Sequence, residues 1–147
     1  MTSPKPNTIS VWTSLVTANN NILDEIESAL SQAKLPKLGW YDALLEIEKA
    51  GPDGIRPYEL KERLLLPQYG TSRLLERLEK EGMVERQAVA QDGRGQIIRL
   101  TDRGRATRQE MWPVYAASLK GSVEDKLTDR EAEELARLLG KLKKSAG

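Results

Sequence analysis

Apolar residues recur at three- and four-residue steps along most of the chain, which predicts a mainly helical protein. Gly and Pro residues interrupt this period and divide it into six helical segments. The predicted helices span residues 8–30, 40–50, 57–66, 68–81, 102–119 and 128–144. The second helix is expected to bury Trp40, Leu44 and Ile47. Its opposite side, with Asp42 and Glu48, is expected to face solvent.

The period changes after Gly82, where two short segments with β-branched residues flank a Gly-rich loop. Residues 84–90 and 96–100 are therefore predicted to form a β-hairpin whose polar tip projects from the body. Thr101 and Thr128 stand where the next two helices begin, and their hydroxyls are expected to cap those helices.

Helices 57–66 and 68–81 are joined too closely to run side by side, so they are expected to cross as in a helix-turn-helix. The second of them carries side chains that suit a DNA major groove, where hydroxyls, amides and guanidinium groups reach bases and phosphates. These candidates are Gln68, Tyr69, Thr71, Ser72, Arg73 and Arg77. On the hairpin, Arg86 and Arg94 are candidates for a minor groove, whose negative potential attracts guanidinium groups.

Two features of helix 68–81 leave alternatives open. Gly70 is expected to cost the helix about 1 kcal/mol relative to Ala, or else to let a phosphate approach closely. Arg73 and Arg77 are like charges one turn apart, which is unfavourable unless an anion lies opposite, but both could be ordinary solvated residues. Glu76 and Lys80 are expected to pair on the same solvated face, because they are four residues apart.

The composition excludes several classes of function. Hydrophobic residues make up 39% and charged residues 31%, as in a soluble globular protein, and the net charge is only +1. A basic surface would therefore have to arise from local segregation of charge. With no Cys and no His, disulfides, thiolate or imidazole metal sites and His or Cys catalysis are excluded. We expect neither an enzyme nor a metal or cofactor, and a cytoplasmic protein without a membrane segment.

Several short motifs occur together in the central region. They are Gly82-Met83-Val84-Glu85-Arg86, Asp92-x-Arg94, Leu100-Thr101-x-x-Gly104 and the helical run SRLLERLEKEG that ends at Gly82. In this combination the chain resembles the multiple-antibiotic-resistance regulator (MarR) family of winged helix-turn-helix proteins. The resemblance extends over roughly residues 8–145 in helix order and is specific over about 56–104.

The resemblance implies a mainly α fold with a small β-hairpin wing, in a single domain over residues 1–147. Terminal helices within 8–33 and 102–145 would form the dimerisation part, and residues 38–101 the winged helix-turn-helix. The resemblance further implies a homodimer that binds a pseudo-palindromic operator in double-stranded DNA and usually acts as a repressor.

The same resemblance assigns roles to side chains outside helix 68–81, which corresponds to the recognition helix of the family. Asp92 would hold the hairpin by pairing with an Arg, and Arg94 would enter the minor groove. Small aromatic effectors of the family bind between the dimerisation helices and the winged part. The residues expected to border that space are Trp12, Trp40, Tyr41 and Trp112. Because the chain has no Phe, these residues could equally fill the protein interior and the dimer interface.

A function of a different class stays open because the overall charge is nearly neutral. The basic residues near the hairpin tip are offset by neighbouring carboxylates, namely Glu76, Glu79, Glu81 and Glu85. The winged scaffold could therefore serve as a protein–protein interaction module that does not bind DNA. Retention of the protein on heparin or on DNA at low salt separates the two hypotheses.

Overall fold

The computed structural model describes residues 2–66, 70–89 and 95–144. Its regular elements are α1 (Pro6–Gln32), α2 (Leu38–Ala50), α3 (Pro57–Arg63), α4 (Thr71–Lys80), β1 (Val84–Ala88), β2 (Gln96–Leu100), α5 (Asp102–Ser122) and α6 (Asp129–Leu142). Two single-turn 3₁₀ helices, Gly51–Asp53 and Glu124–Lys126, follow α2 and α5. The prediction of a mainly helical chain with one small antiparallel hairpin is confirmed.

The chain divides into two compact units. One contains the residues up to 29 together with those from 115 onward, and the other contains residues 30–114. α2, α3, α4 and the hairpin all lie in the 30–114 unit, while α5 contributes residues to both units. The candidate DNA-binding residues therefore belong to the 30–114 unit.

The core of the 30–114 unit is built from the apolar faces that the sequence period predicts. Its buried members are Ala43, Leu44, Ile47, Ile55, Leu60, Leu74, Leu75, Leu78, Met83, Val84 and Ile98. Leu74, Leu75 and Leu78 turn one face of α4 inward, so its polar side chains face outward. Ile55 forms a short antiparallel bridge to Ile98, with N···O distances of 2.9 and 2.8 Å in the two directions.

A packed junction joins the hairpin to the start of α5. The Thr101 hydroxyl accepts a hydrogen bond from the Gly104 N–H at 3.0 Å and donates one to the Gly82 carbonyl at 2.7 Å. The predicted cap is therefore present. A Cβ atom on Gly104 would lie 2.2 Å from the Met83 carbonyl oxygen and 2.7 Å from a Leu100 methyl group. In the Leu-Thr-x-x-Gly motif, the Thr is thus needed for capping and the Gly for close packing.

The other unit contains α6, which begins with the predicted capping box. The Thr128 N–H donates to a Glu131 carboxylate oxygen at 2.9 Å, and the Glu131 N–H donates to the Thr128 hydroxyl at 3.1 Å. None of the residues of α6 is buried, although the helix carries an apolar stripe. Leu135, Leu138 and Leu142 are all exposed in the single chain.

α1 also lies mainly in this unit, and it leaves apolar side chains uncovered. The helix continues through Asn19, Asn20 and Asn21, although these are poor helix formers. The large apolar residues exposed along its first half are Ile9, Val11, Trp12, Leu15 and Val16. Together with the leucines of α6, they are large apolar side chains exposed within one unit, and extended exposed apolar surface marks an interaction site.

The predicted start of the recognition helix is wrong. α4 begins at Thr71, and Gly70 lies immediately before it with a left-handed φ of +85°. Gly adopts this conformation without the steric penalty of other residues, so Gly70 does not weaken the helix. Its carbonyl accepts the first bond of the helix, from the Arg73 N–H at 3.0 Å. α3 also ends earlier than predicted, at Arg63.

Candidate nucleic-acid interface

The side of α4 opposite its buried leucines is fully exposed. This outer face of α4 consists of Ser72, Arg73, Glu76, Arg77 and Lys80. Arg73 and Arg77 are four residues apart, so their side chains emerge one above the other. The core residues on the inner side hold the helix in place, and the outer face is left free to meet a partner.

The arginines of the outer face lack acidic partners. Within the described residues, neither Arg73 nor Arg77 forms an ion pair. The predicted pair between Glu76 and Lys80 is not formed in this part of the chain either. The exposed side chains of α4 thus include three cations and two carboxylates, and one of these carboxylates, Glu79, is paired with Arg86. This local excess of positive charge is concealed by the net charge of +1 for the whole chain.

The first turn of α4 contains two of the predicted hydroxyl contacts. Ser72 is exposed, whereas Thr71 is half-buried and its hydroxyl oxygen has no hydrogen-bond partner among the described residues. The N-terminus of a helix attracts anions, so this turn can receive a phosphate. Four other predicted site residues lie outside the described residues: Gln68, Tyr69, Asp92 and Arg94.

The sequence groups Arg86 with the DNA-binding candidates, but the structure gives it partners within the chain. Its Nε lies 3.3 Å from Oε1 of Glu79 on α4, and its Nη1 donates to Oε1 of Gln96 on β2 at 3.1 Å. Only 21% of the side chain is exposed. The guanidinium therefore connects both strands of the hairpin to α4.

Arg99 makes an equivalent connection on the other face of the hairpin. Its Nε donates to the Pro52 carbonyl at 2.8 Å, and its Nη1 donates to the side chain of Gln87. Since Arg86 and Gln87 are successive residues of β1, the two Arg–Gln pairs lie on opposite faces. One pair ties the hairpin to α4 and the other ties it to the 3₁₀ turn after α2. The sequence assigns no role to Arg99, because its partner Pro52 is 47 residues away.

Asp42 is buried, so the expectation that it faces solvent is wrong. The residue is 7% exposed, and its carboxylate accepts hydrogen bonds from the N–H groups of Leu65 at 3.1 Å and Leu66 at 2.8 Å. The helical period of the sequence already indicated that Asp42 is buried. Leu38, four residues earlier, and Leu45, three residues later, place position 42 on the apolar side. The wrong expectation followed the type of the residue instead of its position.

Two of the four candidate effector residues come together in the 30–114 unit. The rings of Tyr41 and Trp112 are stacked, with centroids 6.1 Å apart and an angle of 22° between their planes. Tyr41 is buried and Trp112 is 46% exposed, while Trp40 packs against the core. Trp12 belongs to the other unit and is 65% exposed. Packing accounts for the placement of the three residues in the 30–114 unit.

A charged cluster lies beside this stack. Nε of Arg108 is 2.9 Å from one oxygen of the half-buried Glu48, and Nε of Arg105 is 3.6 Å from the other. Partial burial acts to lower the pKa of Arg108, but its hydrogen bonds with Glu48 and Tyr41 outweigh burial and raise the pKa. Arg108 is therefore a permanent cation. A cavity of about 180 Å³ is lined partly by Glu48, Arg99 and Arg105, and none of the four aromatic candidates lines it.

The described residues form neither a metal-binding cluster nor a helix that could span a membrane. Within residues 2–66, 70–89 and 95–144, no group of three or more His, Cys, Asp or Glu side chains could hold a metal ion. No helix in those same ranges combines the length and the apolar character needed to cross a membrane.

Comparison with known proteins gives matches at the level of sequence. A family model described as the MarR family matches residues 35–95. An uncharacterised HTH-type transcriptional regulator of Bacillus cereus is 31% identical over 142 residues, covering 95% of this chain and 92% of the relative. Another such regulator, from a different Bacillus cereus strain, is 35% identical over 104 residues, covering 71% of this chain and 67% of the relative.

Solved structures are similar over almost the whole chain. A mutant MarR from E. coli in complex with operator DNA is 27% identical, with a TM-score of 0.78, and the match covers 95% of this chain and 99% of that one. Sco3205, a MarR family regulator from Streptomyces coelicolor in complex with DNA, is 23% identical with a TM-score of 0.85, covering 97% and 89%. The organohalide-sensing regulator RdhR-CbdbA1625, bound to 2,4-dichlorophenol, is 18% identical with a TM-score of 0.80, covering 97% and 85%. The last two show a common fold.

Proposed function

The chain belongs to the MarR family of transcription regulators, and on this basis we propose that it is a homodimer that binds an operator in double-stranded DNA and represses transcription. The observation that carries the DNA-binding part is the pair of exposed arginines on the outer face of α4. Arg73 and Arg77 have no acidic partner among the described residues. DNA phosphates supply the missing negative charge, and release of their counterions drives binding.

α4 is the helix that we place in the major groove. Arg73 and Arg77 bind phosphates or guanine edges, and the exposed hydroxyl of Ser72 binds at the start of the helix. Thr71 is assigned to the same turn, but its hydroxyl oxygen is buried and has to rotate outward to reach a phosphate. Gln68 and Tyr69, which precede α4 in the sequence, are assigned to the same groove from their residue types. The E. coli MarR mutant, which is similar in sequence and fold, was solved on operator DNA, and this supports the assignment.

In the proposed complex with DNA, the β-hairpin is the wing that lies beside α4. Arg94 enters the minor groove, and Asp92 stabilises the tip of the hairpin. Arg86 acts indirectly, because its contacts with Glu79 and Gln96 hold the wing against α4. Arg94→Ala is expected to weaken operator binding by at least about tenfold, the size of one lost base contact, while the dimer stays folded. Fluorescence anisotropy and size-exclusion chromatography measure the two effects. An unchanged affinity removes the wing from the interface.

The homodimer is supported by the apolar surface that a single chain leaves exposed. Segments 8–33 and 102–145, which contain α1 and α6, are the proposed dimerisation helices, and residues 38–101 are the DNA-binding part. Trp12, which is 65% exposed in one chain, becomes buried by the second chain. In a dimer the two α4 helices lie about one duplex turn apart, roughly 34 Å, so the operator is pseudo-palindromic.

We further propose that a small aromatic effector releases the protein from DNA. The similar regulator solved with 2,4-dichlorophenol supports this class of ligand. Trp40, Tyr41 and Trp112 are the proposed contacts in the 30–114 unit, with Trp12 as a further candidate. An effector acts only if it binds the DNA-free state more tightly than the DNA-bound state. Quenching of tryptophan fluorescence by chlorophenols, followed by loss of DNA binding, tests this part.

One experiment tests the function as a whole. Purified protein is incubated with a pool of random duplexes, the bound duplexes are sequenced, and affinity for the selected site is measured between low and high salt. We expect a palindromic site, an affinity that falls steeply with salt, and a complex that contains two chains. Absence of binding to any duplex at low salt contradicts the proposal and favours a protein–protein interaction module.

A further inference from the structure

A buried carboxylate holds the turn between α3 and α4. Asp42 lies on α2, and its two oxygens accept hydrogen bonds from the consecutive N–H groups of Leu65 and Leu66 at 3.1 and 2.8 Å. These N–H groups follow the last residue of α3, at Arg63, and precede the first residue of α4, at Thr71. The contact therefore joins one helix of the core to the segment from which α4 starts.

The two hydrogen bonds to Asp42 fix the geometry of this contact. A carboxylate that is removed from water is costly unless it accepts hydrogen bonds, and bonds to an ionised acceptor are about twice as strong as neutral ones. Because each oxygen of Asp42 binds a different N–H group, the backbone at Leu65 and Leu66 is fixed in position and in orientation. α2 is a rigid base for this contact, since Tyr41 and Leu44 beside Asp42 are buried.

Leu64 packs against the core, whereas Leu65 is 74% exposed and Leu66 is only half-buried. Burial of its own side chain therefore does not hold the backbone at Leu65, and the bonds to Asp42 supply what packing does not. Gly70, with its left-handed φ of +85°, then sets the direction in which α4 begins.

We propose that Asp42 is a positioning residue for DNA sequence recognition, which sets the angle of α4 by fixing the N–H groups of Leu65 and Leu66. This inference rests on the proposed DNA-binding function. Contacts to phosphates tolerate a small rotation of α4, because they depend mainly on charge. Contacts to base edges do not, because they require alignment of donors and acceptors. Asp42 thus controls the preference for one sequence over others more than the affinity for DNA in general.

Asp42→Asn is the test variant, because it keeps the shape of the side chain. Asn has one acceptor oxygen, and its amide nitrogen would face a backbone N–H group, so one of the two bonds is lost. Affinity is measured by fluorescence anisotropy for the selected operator and for a scrambled duplex of equal length, well below the melting temperature. We expect the ratio of the two affinities to fall by about tenfold, as when one base contact is lost. Affinity for the scrambled duplex is expected to stay unchanged.

Ile47→Val is the matched control for stability. Ile47 lies on the same helix, is buried in the core and takes no part in the hydrogen bonds of Leu65 and Leu66, so this variant lowers stability without removing those bonds. We expect it to keep the full preference for the operator. If Asp42→Asn keeps that preference, or if Ile47→Val loses as much of it at an equal melting temperature, the inference is wrong and Asp42 serves the fold alone.

Hydrogen exchange provides a measurement that does not depend on DNA. In the wild-type protein the amides of Leu65 and Leu66 are expected to exchange slowly, although Leu65 is exposed, and Asp42→Asn is expected to accelerate them selectively. Fast exchange of both amides in the wild-type protein overturns the inference. A wild-type protein that binds the operator and the scrambled duplex equally would instead contradict the proposed function, so the two failures can be told apart.

Discussion

The outer face of α4 and the base of the hairpin both carry arginines, but their surroundings differ. On α4, Arg73 and Arg77 are exposed and have no ionic partner within the described chain. At the base of the hairpin, the guanidinium groups of Arg86 and Arg99 are bonded to side chains of the opposite strand and to residues beyond the hairpin. An arginine in a basic motif is therefore not by itself a DNA contact. The groups within reach of its guanidinium decide what it does.

The two regions should respond differently to substitution. Removal of an exposed side chain without partners usually changes stability by less than about 0.5 kcal/mol. Removal of a bonded side chain loses the net contribution of its hydrogen bonds, about 0.5–1.5 kcal/mol each. Variants on the outer face of α4 should therefore lower the affinity for DNA without lowering stability. Variants at the base of the hairpin should mainly lower the free energy of unfolding.

The largest effect is expected at the junction between the hairpin and α5. Gly104→Ala places a methyl group 2.2 Å from the Met83 carbonyl oxygen, so the start of β1 and the start of α5 must move apart. We expect the free energy of unfolding to fall by about 3 kcal/mol, at the upper end of the cost of overpacking. Urea denaturation followed by circular dichroism measures the change.

Gly121→Ala is the control for this variant, because it lies in the same helix and a methyl group there meets nothing within 4 Å. This change is expected to raise stability by up to about 1 kcal/mol, the difference in helix propensity between Ala and Gly. If Gly104→Ala were as stable as the wild type, the hairpin base would not be the closely packed region described above.

The next effect is expected on the outer face of α4. Arg73→Ala and Arg77→Ala should each lower affinity for DNA by about tenfold, and each lost phosphate contact should reduce the slope of log affinity against log salt by about 0.9. The melting temperature should stay unchanged. Arg130→Ala, at an exposed position of α6, is the control and should leave both properties as they are. If Arg73→Ala or Arg77→Ala lowered the melting temperature but kept the affinity for DNA, these arginines would stabilise the fold instead of binding DNA.

The smallest effect is expected at Arg86. Arg86→Ala should lower the free energy of unfolding by about 1 kcal/mol, because the bonds to Glu79 and Gln96 are lost. Affinity for DNA should fall less than in Arg73→Ala. A double-mutant cycle with Glu79→Gln isolates the contribution of the ion pair. Additive effects of the two changes would mean that the pair does not hold the hairpin to α4.

The sequence correctly predicted the elements that depend on residues only a few positions apart. Helix order follows from the three- and four-residue period, and the hairpin follows from the change of period after Gly82. Thr101 and Thr128 were correctly placed as caps, because a cap bonds to residues only a few positions away. The burial of Leu44 and Ile47 on α2 was correct for the same reason.

The errors arose where the decisive contact is distant or where the backbone conformation is special. Gly70 was placed inside α4, because sequence alone does not reveal that its φ is positive. Asp42 was placed in solvent because of its residue type, although the local helical period indicated burial; its partners Leu65 and Leu66, more than twenty residues along the chain, could not be foreseen. The partners of Arg86 could not be foreseen, since the neighbouring Glu79 belongs to another element. Such pairings depend on tertiary structure, which a pattern along the chain does not encode.

The bridge between Ile55 and Ile98 makes the hairpin and the segment ahead of α3 mechanically one piece. Each residue gives an N–H group to the other, so neither backbone can slide without breaking both bonds. A rotation of the hairpin would therefore drag α3 with it instead of bending at the connection. Tilting of the hairpin and displacement of α3 should then occur as a single concerted motion, so the distance between two spin labels, one on each element, should stay constant.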